Sequence, residues 1–318
     1  MSMDNRKVVL IGTGMVGMSY AYAMLNQNAC DELVLIDVNK ERAAGEAMDL
    51  NHGLAFSGAR MKIYAGDYKD CANADIVAVC AGVAQQPDES RLALLQRNAE
   101  VFRSIVDPVT ESGFNGIFLV ATNPVDIMTR VTCALSGFNP RRVLGTGTAL
   151  DTARLRYLLG EYFGVDPRNM HAYVMGEHGD SEFVPWSQAM IATKPVLELC
   201  EQAGGRYCDQ ELERISTEVR DAAQKIIKAK KATYYGIGMA MVRITKAVLG
   251  DESSVLTVSA MLRGEYGQSD VFAGVPCIVG RNGVQRVLSL SLNDEEQRQF
   301  QASCDTLRES YNGLNLGR

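Results

Sequence analysis

The chain has 318 residues, 47% of them hydrophobic and 22% charged, and carries a net charge of −6 from 32 basic and 38 acidic residues. This is the balance of an ordinary soluble enzyme, long enough for two lobes. No basic run suggests a nucleic-acid or membrane surface, and the cluster Lys225, Lys228, Lys230 and Lys231 reads as a solvated helix face.

The first element is the apolar run Val8–Gly12, which leads into Gly12-Thr13-Gly14-Met15-Val16-Gly17. A helix-like stretch and a second apolar run, Leu33–Asp37, follow, so that Asp37 falls twenty residues after Gly17. A strand, a G-x-G-x-x-G turn, a helix, a strand and an acid form the frame of a dinucleotide site. In that frame Gly12 permits the tight turn and Gly14 lets the backbone approach a pyrophosphate. Gly17 lets helix and strand pack closely, and Asp37 accepts the ribose hydroxyls of an adenosine. Arg6-Lys7, an apolar stretch and Ala21-Tyr22-Ala23 imitate a signal peptide, but cleavage there would destroy the glycine turn, so no targeting segment is expected.

Next, Asn39 is placed to cap a helix over Lys40–Leu50. Further strands are expected at Met61–Ala65, Ile76–Ala81, Ile117–Thr122 and Val143–Thr146. Most are continuous apolar runs, as a parallel sheet covered on both faces requires. Six such strands alternating with helices predict a Rossmann-type doubly wound sheet over residues 1–145.

The pattern then changes. Leu150–Gly160 reads as a helix and Asp209–Leu249 as long helical segments. Short strands follow at Ser254–Leu262, Val271–Pro276 and Cys277–Gly280, with a tight turn at Arg281-Asn282-Gly283-Val284. Asn293 and Glu296 form a capping box for a terminal amphipathic helix. Residues 146–318 are therefore expected to form an α+β substrate and catalytic domain. The eight cysteines, at 30, 71, 80, 133, 200, 208, 277 and 304, show no metal-ligand spacing. They read as reduced thiols of a cytosolic protein, and no metal is expected.

Candidate chemistry centres on His178, in Gly176-Glu177-His178-Gly179-Asp180, one of three histidines with His52 and His171. A histidine in such a turn is, by itself, more often structural than catalytic. Asp151 and Arg154 share a helix face three residues apart; taken alone they read first as an intrahelical ion pair. An aspartate can also fix a histidine tautomer, and an arginine can grip a carboxylate through two parallel hydrogen bonds. Arg91 lies in a polar segment after the Cys80-Ala81-Gly82 strand end, where a mobile loop would carry a cation over a substrate. Asn123 ends the next strand, in position to bond a carboxamide or a substrate oxygen.

With these pieces in order, the chain resembles bacterial L-lactate dehydrogenases of the lactate/malate dehydrogenase superfamily over nearly its whole length. The resemblance rests on Gly12–Gly17, Gly45-Glu46-Ala47-Met48-Asp49-Leu50 and Arg91 with its loop. It rests equally on Thr122-Asn123-Pro124-Val125-Asp126, Leu150-Asp151-Thr152-Ala153-Arg154, the His178 motif and Ala232-Thr233-Tyr234-Tyr235. It implies that His178 is the proton donor and acceptor, paired with Asp151. Arg154 would bind the pyruvate or lactate carboxylate, Arg91 would polarise the carbonyl, and Asn123 would touch both nicotinamide and substrate. Asp37 would favour NAD by repelling a 2′-phosphate. Val16, Arg42, Tyr68, Gly82, Val83, Ser104 and Thr146 match further cofactor-contact positions.

By the same resemblance Gln85 stands where malate enzymes place an arginine, and Thr233 matches a second position typical of lactate enzymes. Arg156 is about 200° around its helix from Arg154 and so faces away from that pocket. With His171 it matches the pair that binds fructose 1,6-bisphosphate in allosteric bacterial members. A short lead before the first strand, without the N-terminal arm of vertebrate relatives, adds the expectation of a homotetramer stabilised by that effector. Asp88, Lys231, Thr146 and Phe272-Ala273 depart from the family's usual residues, but none removes a catalytic group. The alternatives are a malate or other 2-hydroxy-acid dehydrogenase, or a non-catalytic NAD-binding protein.

Overall fold

The computed structural model describes residues 6–83, 90–202 and 208–316. The first half runs β1 (Lys7–Ile11), α1 (Met15–Asn26), β2 (Glu32–Ile36), α2 (Lys40–Leu54), β3 (Lys62–Ala65), β4 (Ile76–Val79), α3 (Arg91–Glu111), β5 (Ile117–Val120), α4 (Val125–Ser136) and β6 (Val143–Gly145). These six strands are parallel, in the order β6-β5-β4-β1-β2-β3. All the predicted strands of this half form, most stopping a residue or two early. The residues beyond the ladder, among them Gly12, Asp37, Ala81 and Thr122, turn out into the loops at the carboxyl edge. The strand order reverses between β1 and β4, which opens a ligand crevice at that edge. The predicted Asn39 cap is present, its side chain accepting from the Arg42 amide at 3.0 Å.

The second half runs α5 (Ala149–Phe163), β7 (Met170–His171), β8 (Met190–Ile191), β9 (Lys194–Pro195), α6 (Val196–Gln202), α7 (Cys208–Lys230), α8 (Tyr235–Leu249), β10 (Ser254–Arg263), β11 (Ser269–Gly280), β12 (Gly283–Val287) and α9 (Asp294–Asn312). Strands β7–β9 make a small sheet of their own, but β10–β12 extend the large sheet, antiparallel, from β6. The junction is tight: Ser259 pairs with Gly145, and a Cβ on Gly147 would sit 2.4 Å from the Ser259 amide nitrogen. The two short strands expected around Pro276 are one continuous strand. Pro276 lies just past the last β12 partner, Val287 opposite Cys277, and its carbonyl accepts from Leu288, so the missing N–H breaks little of the ladder. The α9 capping box forms as expected, with Asn293 and Glu296 exchanging bonds of 2.9 and 3.0 Å.

One apolar core runs beneath the whole large sheet, from β1 to β12 and α9. A smaller core lies among α5, α6, α7 and β7, where Leu155, Leu159, Val196, Leu212 and Ile215 meet. Here the sequence reading needs correction: Cys200 and Cys208 are not free thiols but a disulfide, with Cα atoms 5.6 Å apart. Both cysteines point into this small core, and α6 and α7, packed on it side by side, bring the sulfurs together. The other six cysteines are free, as expected.

Candidate active site

The glycine turn does what its spacing predicts. Gly12 has φ +99°, and a Cβ there would strike the Ala81 backbone at 2.6 Å, so the turn folds closely over the end of β4. A Cβ on Gly17 would come within 2.0 Å of the Gly12 carbonyl oxygen, which is how near α1 lies to β1. Gly14 caps α1 with no side-chain bond and with open space where a Cβ would go. The helix therefore presents its first amides to that space. Val16 lies in the first turn of α1.

Asp37 is fixed by three bonds. Its Oδ2 accepts from the Thr13 amide at 2.8 Å and the Thr13 hydroxyl at 2.9 Å, and its Oδ1 from the Asn39 amide at 2.9 Å. Burial raises its pKa, but these donors and nearby Arg42 prevail and hold the carboxyl below its ordinary value. Arg42 is exposed on α2, 3.6 Å from Glu46. Tyr68 is half-buried against the main core. The Val83 amide donates to Asn98 Oδ1 at 3.0 Å, and Gly82 packs against Thr122. Asn123 is exposed just past β5, and buried Thr146 donates its amide to the Val120 carbonyl at 2.9 Å. Ser104 lies on the exposed side of α3, and its hydroxyl donates to the Val101 carbonyl of its own helix.

The His178 cluster forms at the junction of the two halves. Asp151, on the first turn of α5, is 1% exposed. Its Oδ2 lies 2.6 Å from His178 Nδ1, and its Oδ1 accepts from Arg154 Nη1 at 2.7 Å. The intrahelical ion pair and the histidine partnership are thus both present, one on each carboxylate oxygen. The His178 amide donates to Asp126 Oδ2 on α4 at 2.8 Å. The segment is held further by Gly176, which exchanges backbone bonds with Gly274 of β11, and by the Glu177 amide, which donates to Ser303 Oγ of α9 at 2.7 Å.

The electrostatics follow from these bonds. Burial opposes charge on the His178 ring, but the Asp151 charge and hydrogen bond outweigh it, with help from Asp126 and Glu182, and bring its pKa to about 9. Burial likewise opposes charge on Asp151; His178 and Arg154 prevail and hold it below the ordinary value. Burial pushes Asp126 up to about 6. At neutral pH the cluster therefore holds an imidazolium, a guanidinium and a shared carboxylate. Such an array can bind a small carboxylate and deliver a proton beside it.

Arg91 is not in the loop where the sequence placed it. It is the first residue of α3, whose amide at Ala93 donates to the Ser90 hydroxyl at 3.2 Å, because a serine before a helical stretch makes an N-cap. Gln85, Asp88 and the Arg91 side chain lie outside the described residues. Thr233 is half-buried between α7 and α8. Arg156 turns away from Arg154, as its helical spacing requires. Its Nε donates to the Ala172 carbonyl at 3.0 Å, next to His171, which is exposed on β7. The Arg156 guanidinium also lies 5.1 Å from the Tyr173 ring centre.

Sequence reading missed four residues of this site: Thr13, Asn98, Asp126 and Glu182. Thr13, just past β1, and Asp126, in the first turn of α4, lie inside motifs already singled out, so their polarity was the available signal. Asn98 and Glu182 carried none; only folding shows that they are buried, at 1% and 9% exposure.

Comparison with known proteins agrees with this geometry. The lactate/malate dehydrogenase NAD binding domain family matches residues 6–145, and the lactate/malate dehydrogenase alpha/beta C-terminal domain family matches residues 148–315. The chain is 54% identical to an L-lactate dehydrogenase of Geobacillus sp. (strain WCH70) over 303 residues, 95% of each chain. It is 53% identical to the L-lactate dehydrogenase of Geobacillus stearothermophilus over 302 residues, again 95% of each. Among solved structures it is similar to the ligand-bound minor L-lactate dehydrogenase of Enterococcus mundtii, with a TM-score of 0.96 and 47% identity over 99% of this chain and 100% of that one. A lactate dehydrogenase from a Medee basin deep-sea metagenome library gives a TM-score of 0.96 at 50% identity, covering 98% of this chain and 99% of that one. With both domain families matched in order and the Asp151–His178–Arg154 cluster at their junction, the chain belongs to the lactate/malate dehydrogenase family.

Proposed function

We propose that this chain is an NAD-dependent L-lactate dehydrogenase, interconverting pyruvate and NADH with L-lactate and NAD. The observation that carries the reading is Asp151, whose two oxygens hold His178 at 2.6 Å and Arg154 at 2.7 Å. One carboxylate thereby aligns a proton donor with a carboxylate-binding arginine. The dinucleotide fits the residues present: uncapped α1 amides beside open space at Gly14 suit a pyrophosphate, and Asp37, anchored by Thr13 and Asn39, suits a ribose. When bound, the nicotinamide supplies or takes up the hydride.

The roles follow. Arg154 binds the substrate carboxylate. His178 gives its proton to the carbonyl oxygen and takes it back in the reverse direction, while Asp151 keeps the ring oriented and charged. Arg91, at the start of α3, polarises the carbonyl, and Asn123 bonds nicotinamide and substrate. Val16, Arg42, Tyr68, Gly82, Val83, Ser104 and Thr146 complete the cofactor site. Gln85 and Thr233 set the preference for a monocarboxylate, since a second carboxylate would be desolvated beside a neutral glutamine. We assign residues 1–145 to cofactor binding and 146–318 to substrate binding. Arg156 and His171 form the fructose 1,6-bisphosphate site of a homotetramer. Supporting this, Arg156 donates to the carbonyl of Ala172, the residue that follows His171. A cytoplasmic location belongs to the same proposal, and no described helix is long and apolar enough to cross a membrane.

The test is NADH oxidation with pyruvate and with oxaloacetate, each with and without fructose 1,6-bisphosphate. Pyruvate is the better substrate, and the sugar lowers its KM or promotes assembly. Equal or greater efficiency on oxaloacetate overturns the substrate assignment. An unchanged KM, rate and assembly state with the sugar removes the effector site.

A further inference from the structure

Glu182 is a buried acid that the reaction above does not use. It lies four residues past His178 and is 9% exposed. One of its carboxylate oxygens is within 4.8 Å of both a His178 ring nitrogen and an Asp151 oxygen. Its place is fixed on both sides: its amide donates to the Gly179 carbonyl at 3.2 Å, and Phe183 exchanges bonds of 2.9 and 3.0 Å with Met175. Among the described residues no hydrogen bond or ion pair reaches its carboxyl group. It also borders a cavity of about 400 Å³, lined by Ser181, Trp186, Glu213, Arg220 and Gln299.

The charges facing it come from three elements. Asp151 and Arg154 face it from α5, His178 from its own segment, and Arg220 and Glu213 from α7. His178 is faced in addition by Asp126 of α4. A carboxyl group at 9% exposure with no hydrogen-bond donor, next to a carboxylate already engaged twice, is pushed toward its neutral form.

We infer that Glu182 is a positioning residue for the His178 proton. Neutral at working pH, it leaves Asp151 the only carboxylate bonded to the ring; ionised at alkaline pH, it keeps the imidazolium charged further than Asp151 alone would. The direction agrees with the pKa of the group: burial, then the Asp151 charge, push Glu182 up to about 8, against the pull of His178, Arg154 and Arg220. This inference rests on the reading of His178 as the catalytic acid.

The experiment is an NMR titration of the His178 ring in the full-length protein, alongside the pH profile of kcat/KM for pyruvate. With three histidines in the chain, the ring signals are readily assigned. In Glu182→Gln the His178 midpoint falls by about one pH unit, and the alkaline limb of the profile falls with it. Glu182→Asp, which keeps the ionisable group, moves both back toward the starting values. Arg220→Gln, an exposed change that favours the neutral form of Glu182, shifts both downward by less. A ring midpoint unmoved in both Glu182→Gln and Arg220→Gln overturns the inference, even where the plateau rate drops. A ring midpoint that moves while the activity limb stays still leaves the role of Glu182 intact and refutes His178 as the acid.

Discussion

Asp151→Asn isolates the bond on which the site depends. The substitution keeps the shape of the side chain and removes the charge between His178 and Arg154. The lift of His178 from its ordinary 6.5 to about 9 corresponds to about 3 kcal/mol, at about 1.4 kcal/mol per pH unit. Asp151 is the largest source of that lift, and burial, which remains, pulls the other way. With Asp126 and Glu182 left to offset burial, the ring in the variant titrates near its ordinary value of about 6.5. At pH 8 the original ring is about nine-tenths protonated and the variant ring only a few per cent, an expected loss of at least ~30-fold in kcat/KM for pyruvate. The assay is NADH absorbance against pyruvate from pH 5.5 to 10. The expected result is an alkaline limb displaced downward by about two units or more. A limb that stays near 9 refutes the argument that Asp151 holds the proton on His178.

Gly17→Ala places a Cβ 2.0 Å from the Gly12 carbonyl oxygen, forcing α1 off β1. It should destabilise the fold by roughly 1–3 kcal/mol in urea titration and weaken NADH binding in a fluorescence titration. Unchanged NADH affinity would detach the glycine turn from the cofactor. Arg154→Gln should lower kcat/KM for pyruvate by roughly 10²-fold or more while leaving NADH affinity unchanged, because a guanidinium–carboxylate pair is lost. A loss confined to NADH binding would contradict the carboxylate assignment. Thiol titration of the unfolded, unreduced chain should count six groups, rising to eight after reduction; eight at the outset would refute the Cys200–Cys208 bond. Stability should fall as pH rises from 6.5 to 9: folded His178 keeps a proton that the unfolded chain releases near 6.5, so its contribution is full below that pH and is lost through about 9. The urea midpoint in Asp151→Asn should fall less steeply over that interval, and equal slopes would show that the linkage lies elsewhere.

Legibility in the sequence follows the range of the forces involved. Strands β1, β2 and β4–β6 were readable because both faces are covered and the apolar run is nearly continuous, whereas β3, at the sheet edge, is half-exposed. The glycine turn was readable because backbone contact at Gly12 and Gly17 tolerates no side chain. The caps at Asn39 and Asn293 are local hydrogen bonds and were equally visible. Most of what the sequence hid depends on how elements pack. That β10 continues the sheet beyond β6 depends on Ser259 meeting Gly145, residues over a hundred positions apart. The Cys200–Cys208 bond depends on two helices sharing one small core. Ser90 as a helix cap, which puts Arg91 on α3, was a local signal passed over because the preceding stretch is polar.

The same distinction bears on the chemistry. Asp151 and Arg154 looked like an ordinary ion pair in sequence, and in the structure they are one. Function enters with the second oxygen of Asp151, which only a distant turn can reach. That turn arrives because three separate elements hold it: α4 through Asp126, β11 through Gly274 and α9 through Ser303. The proposed role of Gln85 is that a second carboxylate would be desolvated beside a neutral side chain, without a counter-charge. Gln85→Arg should then raise kcat/KM for oxaloacetate relative to pyruvate by tenfold or more, on the scale of about 1.4 kcal/mol per tenfold for one added charge pair. An unchanged ratio would place the selectivity elsewhere than at Gln85.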